Sequence, residues 1–250
     1  MRARSRERAR LVVASARSLA RASSVQARPA ASAVPSPQRR TRLRGLDGAL
    51  TRALDVALST VLLIVAAPLF VLVAVAIRLD SPGPVFFCQS RVGLGGREFT
   101  MVKFRSMESG APPEPHQSYI KALASAPAVG ADGQLQKLTE DVRVTLVGAI
   151  LRKTSIDEIP QLINVLAGRM SIVGPRPAVA YELEFYRPEH LERFGVRPGI
   201  TGLWQVSGRN RLGFYEMLEL DLEYVRCHSF AYDLRLLLRT PWAVLSADTA

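Results

Sequence analysis

The densest chemistry in the sequence lies in Leu151-Arg-Lys-Thr-Ser-Ile-Asp-Glu-Ile-Pro-Gln161. Here the cations Arg152 and Lys153 stand a few residues before the adjacent carboxylates Asp157 and Glu158. Pro160 is tolerated only in a helix's first turn, so the spacing predicts a helix opening close to Asp157. Both carboxylates would then sit at the positive end of the helix dipole. Two readings stand. Ser155 or Asp157 caps the helix and Glu158 completes a capping box, or the pair works beside a bound polyanion.

The pieces of a polyanion site are present. Lys103 and Arg105 belong to Lys103-Phe-Arg-Ser-Met107, and Arg176 stands in the rigid turn Gly174-Pro-Arg-Pro177. Arg197 opens Arg197-Pro-Gly-Ile-Thr-Gly202, and Arg209 and Arg211 lie in Gly208-Arg-Asn-Arg211. Guanidinium groups held by flanking Pro or Gly suit bidentate phosphate recognition, because their planar forks match paired oxygens. Any one of them alone reads as a solvated surface charge. Together, in turn contexts, they point to a diphosphate ligand.

The elements that must carry these residues follow from patterning. Val56–Ile77 is a run of 22 residues without a charge; as a helix it reaches about 33 Å, one bilayer core. It starts too late and runs too long for a cleaved signal peptide. Pro68 at its middle predicts a kink. Basic residues flank both sides, Arg39 to Arg52 before and Arg78 to Arg97 after. A single span leaves its outer flank poor in Lys and Arg. The pattern therefore suits a re-entrant hairpin with two cytoplasmic ends, with a kinked spanning helix as the alternative. Val85–Arg91 and Arg97–Phe104 are strand-like, and the glycines between them predict a β-hairpin. Helices are expected over Arg143–Lys153, Asp157–Ala167, Ala178–Tyr186, Gly213–Val225 and Phe230–Leu245. The last carries Trp242 in a pattern suited to an interface. Residues 109–136, rich in Pro, Ala and Gly, are expected to form a loop or partly ordered insert.

Charge and composition limit the alternatives. The chain has 250 residues and a net charge of +11, which invites a nucleic-acid reading. However, residues 1–45 hold 12 Arg and one acidic residue, while residues 46–250 balance at 21 basic and 21 acidic. The excess belongs to a tail that reads as disordered and cytoplasmic, and no nucleic-acid partner is expected. Two cysteines and three dispersed histidines give no disulfide framework and no zinc spacing.

These runs, taken in order, closely resemble the bacterial sugar transferases, the monotopic polyprenyl-phosphate phosphoglycosyl transferases that start polysaccharide and glycoconjugate assembly. The resemblance rests on Lys103–Met107, Arg152–Gln161, Met170–Pro177 and Arg197–Asn210, with Asp80-Ser-Pro-Gly-Pro-Val-Phe-Phe87 after the apolar run. It extends from about Arg52 to Val244, and four colinear motifs make it specific.

The resemblance implies transfer of a sugar 1-phosphate from a UDP-sugar to a polyprenyl phosphate, with release of UMP. Asp157 matches the family's nucleophile, and Glu158 matches the partner that holds Mg²⁺ against the diphosphate. Lys103, Arg105, Arg152, Arg176, Arg197, Gln205 and Arg209 are implied phosphate, metal-shell or nucleotide contacts. Asp221 matches an acidic position whose role is open. The implied fold is α+β: mainly helical with a β-hairpin, a re-entrant membrane helix over 46–80 broken near Pro68, and interfacial amphipathic helices. The catalytic domain then covers 81–250, with the variable insert 109–136 and an interfacial helix over 230–247 seated by Trp242. The implied location is the inner (cytoplasmic) membrane with both termini cytoplasmic. Membrane lipids are implied partners, and a homodimer is left open. Val142 departs from the family's usual proline, and an Arg-rich tail replaces the polytopic domain of larger members. The rival class is a non-catalytic membrane-tethered protein that binds anionic lipid or nucleic acid through its tail.

Overall fold

The computed structural model describes residues 45–111, 114–125, 142–208 and 212–245. The basic tail through residue 44, Arg209 and much of the 109–136 insert lie outside these residues. The architecture is mostly helical, with two small sheets.

The chain enters through α1, Leu46–Asp80, 35 residues with Pro68 inside. Pro68 removes one backbone donor without dividing the helix, which is continuous where the sequence suggested a break. This helix is long and apolar enough to cross a membrane by length and composition, and little of its apolar stretch is buried. Val61, Leu62, Ile64, Val65, Val71 and Leu72 are all exposed.

After the Ser81–Pro84 turn, β1 (Phe86–Val92) and β2 (Glu98–Phe104) pair as the antiparallel hairpin the sequence predicts. Phe87 faces Lys103, Gln89 faces Met101 and Arg91 faces Phe99. The turn works because Gly95 and Gly96 take positive φ, a region that favours glycine. The insert, expected to be a loop or partly ordered, contains α2, Glu114–Ser125. Its Ile120 and Leu123 pack on Phe214 and Leu218, so tertiary packing offsets a turn-rich composition.

Helix α3, Leu146–Lys153, is capped by Thr145, whose side chain accepts from the Gly148 N–H at 3.0 Å. A 3-10 turn, Ile156–Glu158, leads to α4, Gln161–Leu166. Strand β3 (Ser171–Val173) pairs in parallel with β4 (Gly199–Thr201). Between them run two 3-10 segments, Ala180–Phe185 and Pro188–Gly195. The first replaces the helix expected over Ala178–Tyr186. Then come α5 (Leu203–Ser207), α6 (Phe214–Cys227) and α7 (Phe230–Leu245). The main core joins Phe99 and Met101 of β2, Val165 of α4, β3, Tyr224 and Val225 of α6 and Leu236 of α7. A second cluster sets Val73 and Ile77 of α1 against Phe104 and Leu151.

The junction of α1 and the hairpin depends on Arg105. It donates to the carbonyls of Pro82 at 2.6 Å, Ser81 at 2.7 Å and Ile77 at 3.5 Å. Gly83 has φ +126°, and a Cβ there would come within 2.0 Å of an Arg105 guanidinium nitrogen. Gly83→Ala is therefore expected to lower the apparent melting temperature, with backbone strain alone costing about 1–3 kcal/mol. A thermal-shift comparison in detergent checks this, and an unchanged melting temperature would show that the turn adapts freely.

Candidate active site

The dyad stands in a single 3-10 turn, not in an α-helix. Ser155 takes φ 57°, making it the one positive-φ non-glycine among the described residues. Its side chain makes no capping bond. The α-helix begins only after Pro160, which occupies its N-cap position. The capping-box reading and the helix start at Asp157 are thus corrected. The left-handed Ser155 reverses the chain after α3, and the short 3-10 turn then presents both carboxylates. A left-handed non-glycine residue costs stability, and such positions cluster at functional sites.

Lys103 reaches across from β2. Its ammonium lies 2.6 Å from Glu158 Oε1 and 4.0 Å from Asp157 Oδ2. Asp157 is the more buried carboxylate, its side chain 11% exposed against 33% for Glu158. Burial pushes the Asp157 carboxyl up to about 6, a rise that Lys103 limits, Glu158 adds to and Arg152 opposes. Buried Asn164 of α4 fixes this geometry. Its side chain accepts from the Val102 N–H at 3.1 Å and donates to the Thr100 carbonyl at 2.7 Å, locking α4 to β2 beside Lys103. Nothing in its local sequence marks Asn164, because its role depends on a strand about 60 residues away.

The Gly-rich loops have a structural reason that spacing alone did not reveal. The N–H of Gly174 donates to the Thr201 carbonyl and that of Gly199 to the Pro175 carbonyl, each at 2.8 Å. A Cβ on Gly199 would lie 2.1 Å from the Gly174 nitrogen. These glycines let the Arg176 and Arg197 loops cross backbone to backbone. Arg176 is exposed. Arg197 is also exposed, and its Nε donates to the Gly168 carbonyl at 2.9 Å, at the end of α4. Gln205 donates to the Ile200 carbonyl at 2.9 Å. Arg152 is exposed at the end of α3, close enough to Asp157 to favour its ionised form.

Two candidates are set apart. Arg105 is buried, its guanidinium directed to the carbonyls that end α1. Asp221 is also buried and lies 2.6 Å from the Arg193 guanidinium. Arg193 in turn donates to the Tyr186 hydroxyl and, at 2.7 Å, to the Arg176 carbonyl. This pair holds α6 against the Arg176 loop. The sequence reading did not single out Arg193, nor Arg91, a buried guanidinium that donates to the Pro177 carbonyl at 3.0 Å and to Gln89 at 2.7 Å. On α7, Trp242 is 78% exposed and lies in line with exposed Leu234 and Leu238, flanked by Arg235 and Arg239. That is an interfacial pattern.

Residues 46–247 match the model of the family described as bacterial sugar transferase. The chain belongs to that family. This sugar transferase is 40% identical over 219 residues to the exopolysaccharide production protein ExoY of Sinorhizobium fredii, covering 87% of this chain and 95% of that one. It is 41% identical over 209 residues to a UDP-glucose:undecaprenyl-phosphate glucose-1-phosphate transferase of Caulobacter vibrioides, covering 80% and 71%. An undecaprenyl-phosphate galactose phosphotransferase of Salmonella typhimurium is 40% identical over 203 residues, covering 80% of this chain and 41% of that longer protein. The sugar transferase is therefore an enzyme, which sets aside the reading as a non-catalytic tethered protein.

Proposed function

We propose that the enzyme moves a sugar 1-phosphate from a UDP-sugar to undecaprenyl phosphate in two steps, through a phosphosugar carried on Asp157. The observation that carries this reading is the Lys103–Glu158–Asp157 arrangement, in which one carboxylate is paired by the cation and the other stays poised beside it. Relatives named for undecaprenyl-phosphate sugar-phosphate transfer support the substrates. An Asp157 oxygen attacks the β-phosphorus, the bond to the bridging oxygen breaks, and UMP leaves with that oxygen. An oxygen of undecaprenyl phosphate then attacks the same phosphorus and returns the Asp157 carboxylate. Lys103, Arg152 and Arg176 offset the charge on the transferring group.

The donor set suits Mg²⁺. No group of three or more His, Cys, Asp and Glu is gathered among the described residues. Mg²⁺, however, is usually held by one or two carboxylates plus substrate phosphates. Glu158, hard and one-third exposed, meets that need. When bound, the ion neutralises charge on the diphosphate.

Membrane seating follows from α1. Its first turns (Thr51, Arg52, Asp55) and its last (Val73, Ile77) contact the same domain. A helix crossing the bilayer would carry one end away from that domain. We therefore read α1 as re-entrant, at the inner membrane with both termini cytoplasmic.

UMP release from a panel of UDP-glucose, UDP-galactose and N-acetylated UDP-sugars, with and without undecaprenyl phosphate, tests the reading. Sustained turnover is expected with at least one donor, only with the lipid present, and lost on chelation of Mg²⁺. No UMP from any donor sinks it.

The pH profile gives a second check. Asp157 attacks only when ionised, so UMP release is expected to rise with pH through about 6 and level above it. Lys103→Met removes the cation that favours ionisation and should move the rise to higher pH. An unmoved rise would show that Lys103 does not control the carboxylate.

A further inference from the structure

Both ends of α1 are tied by polar contacts to the elements that carry the site. At its start, Arg52 donates to the carbonyls of Val165 at 2.7 Å and Leu166 at 2.9 Å, which end α4. Asp55 accepts from the Ser171 hydroxyl and the Ile172 N–H, each at 2.9 Å, where β3 begins. Thr51 reaches Asp233 of α7 at 3.2 Å. At its end, Asp80 accepts from the Val147 N–H of α3 at 3.0 Å, and Arg105 joins the last carbonyls to β2. Apart from α7, each of these elements leads to a site residue. Lys103 lies on β2 and Arg152 at the end of α3. The dyad immediately precedes α4, and β3 runs into Arg176.

Asp55 is 3% exposed. A buried carboxylate is costly, and apolar packing alone would hold a helix in place. What apolar packing does not fix is axial register, since a helix can slide along a greasy contact. Bonds from Arg52 and Asp55 to named backbone groups on either side of Gly168 do fix it. Arg52 also places its charge at the negative end of α4.

We infer that Arg52 and Asp55 are positioning residues that set the depth of the Asp157–Glu158 pair relative to the membrane-seated α1. The inference rests on the two-step reading above. The donor is soluble and reaches the dyad wherever the domain sits. The acceptor phosphate is confined to the headgroup plane, so only the second step depends on depth. Misplacement by about 1 Å costs on the order of 10²-fold in rate.

The test uses the full-length enzyme in nanodiscs, as wild type, Arg52→Met and Asp55→Asn. Exchange of labelled UMP into the UDP-sugar without acceptor reads the first step. Transfer to undecaprenyl phosphate reads the whole reaction. Exchange is expected near the wild-type rate with an unchanged donor KM, while transfer falls roughly 10–100-fold. Equal losses in both readouts would mean that the residues merely hold the site together, and would overturn the inference. Unimpaired transfer in both variants would overturn it as well. Half-buried Arg52 carries the test should Asp55→Asn unfold. Absence of exchange in the wild type defeats the two-step reading, and this inference with it, whereas exchange in the wild type leaves the variants to decide the positioning role alone.

Discussion

Asp157→Asn is expected to lower UMP release by roughly 10³-fold or more, as removal of a covalent nucleophile does in other enzymes. Asn keeps the shape of the side chain but cannot form the acyl phosphate. The 3-10 turn depends on backbone bonds, from Glu158 to Ser155 and from Ile159 to Ile156, that the substitution leaves alone. Folding should therefore be intact. Stability at pH 8 should even rise. Burial moves the Asp157 carboxyl from its ordinary 3.8 up to about 6. The folded protein thus binds this proton more tightly than the unfolded chain. The group's contribution to stability is largest below about pH 4 and is lost as the pH climbs to about 6. Above that range the ionised carboxylate is held at a cost that a neutral amide does not carry. Loss of turnover with an equal or higher melting temperature is the combined signature. Retained turnover would remove Asp157 from the chemistry.

Asp221→Ala is expected to cost about 3–5 kcal/mol, the range for stranding one partner of a buried ion pair. Burial pushes the Asp221 carboxyl up to about 6, with Arg193 opposing the rise. Removing the carboxylate leaves the Arg193 guanidinium buried, with only the Tyr186 hydroxyl and the Arg176 carbonyl among the partners named above. For a domain of this size, each kcal/mol lowers the melting temperature by roughly 2–4 °C. A drop of about 6–20 °C is therefore expected from that arithmetic. Pairing Asp221→Leu with Arg193→Met should recover much of the loss, because two apolar side chains strand no charge. A double variant as unstable as the sum of the single ones would show that the pair is not the source of the effect.

The hairpin and α7 were legible because both announce themselves locally, through glycines between strand-like segments and an apolar run that carries Arg235, Arg239 and Trp242. The dyad was legible as a pair of residues but not as a shape. Pro160 does mark a helix start, yet the start falls after it, since the left-handed Ser155 and the 3-10 turn have no strong local signature. Helix α2 was missed because its stability comes from Phe214 and Leu218, distant in sequence. Arg105, read from its motif as a phosphate contact, is directed to backbone carbonyls. A guanidinium that ends a helix and one that binds phosphate look alike in a string of residues. The crossing of the Gly174 and Gly199 loops was likewise invisible, since close backbone approach is a property of two segments together.

The central claim is that a phosphosugar resides on Asp157 between the two steps. Peptide mass analysis of the enzyme quenched after mixing with its UDP-sugar, without acceptor, tests it most directly. The expected result is a phosphosugar adduct on the peptide bearing Asp157, absent in Asp157→Asn and discharged by undecaprenyl phosphate. An unmodified Asp157 peptide under conditions where added acceptor supports full turnover would contradict it.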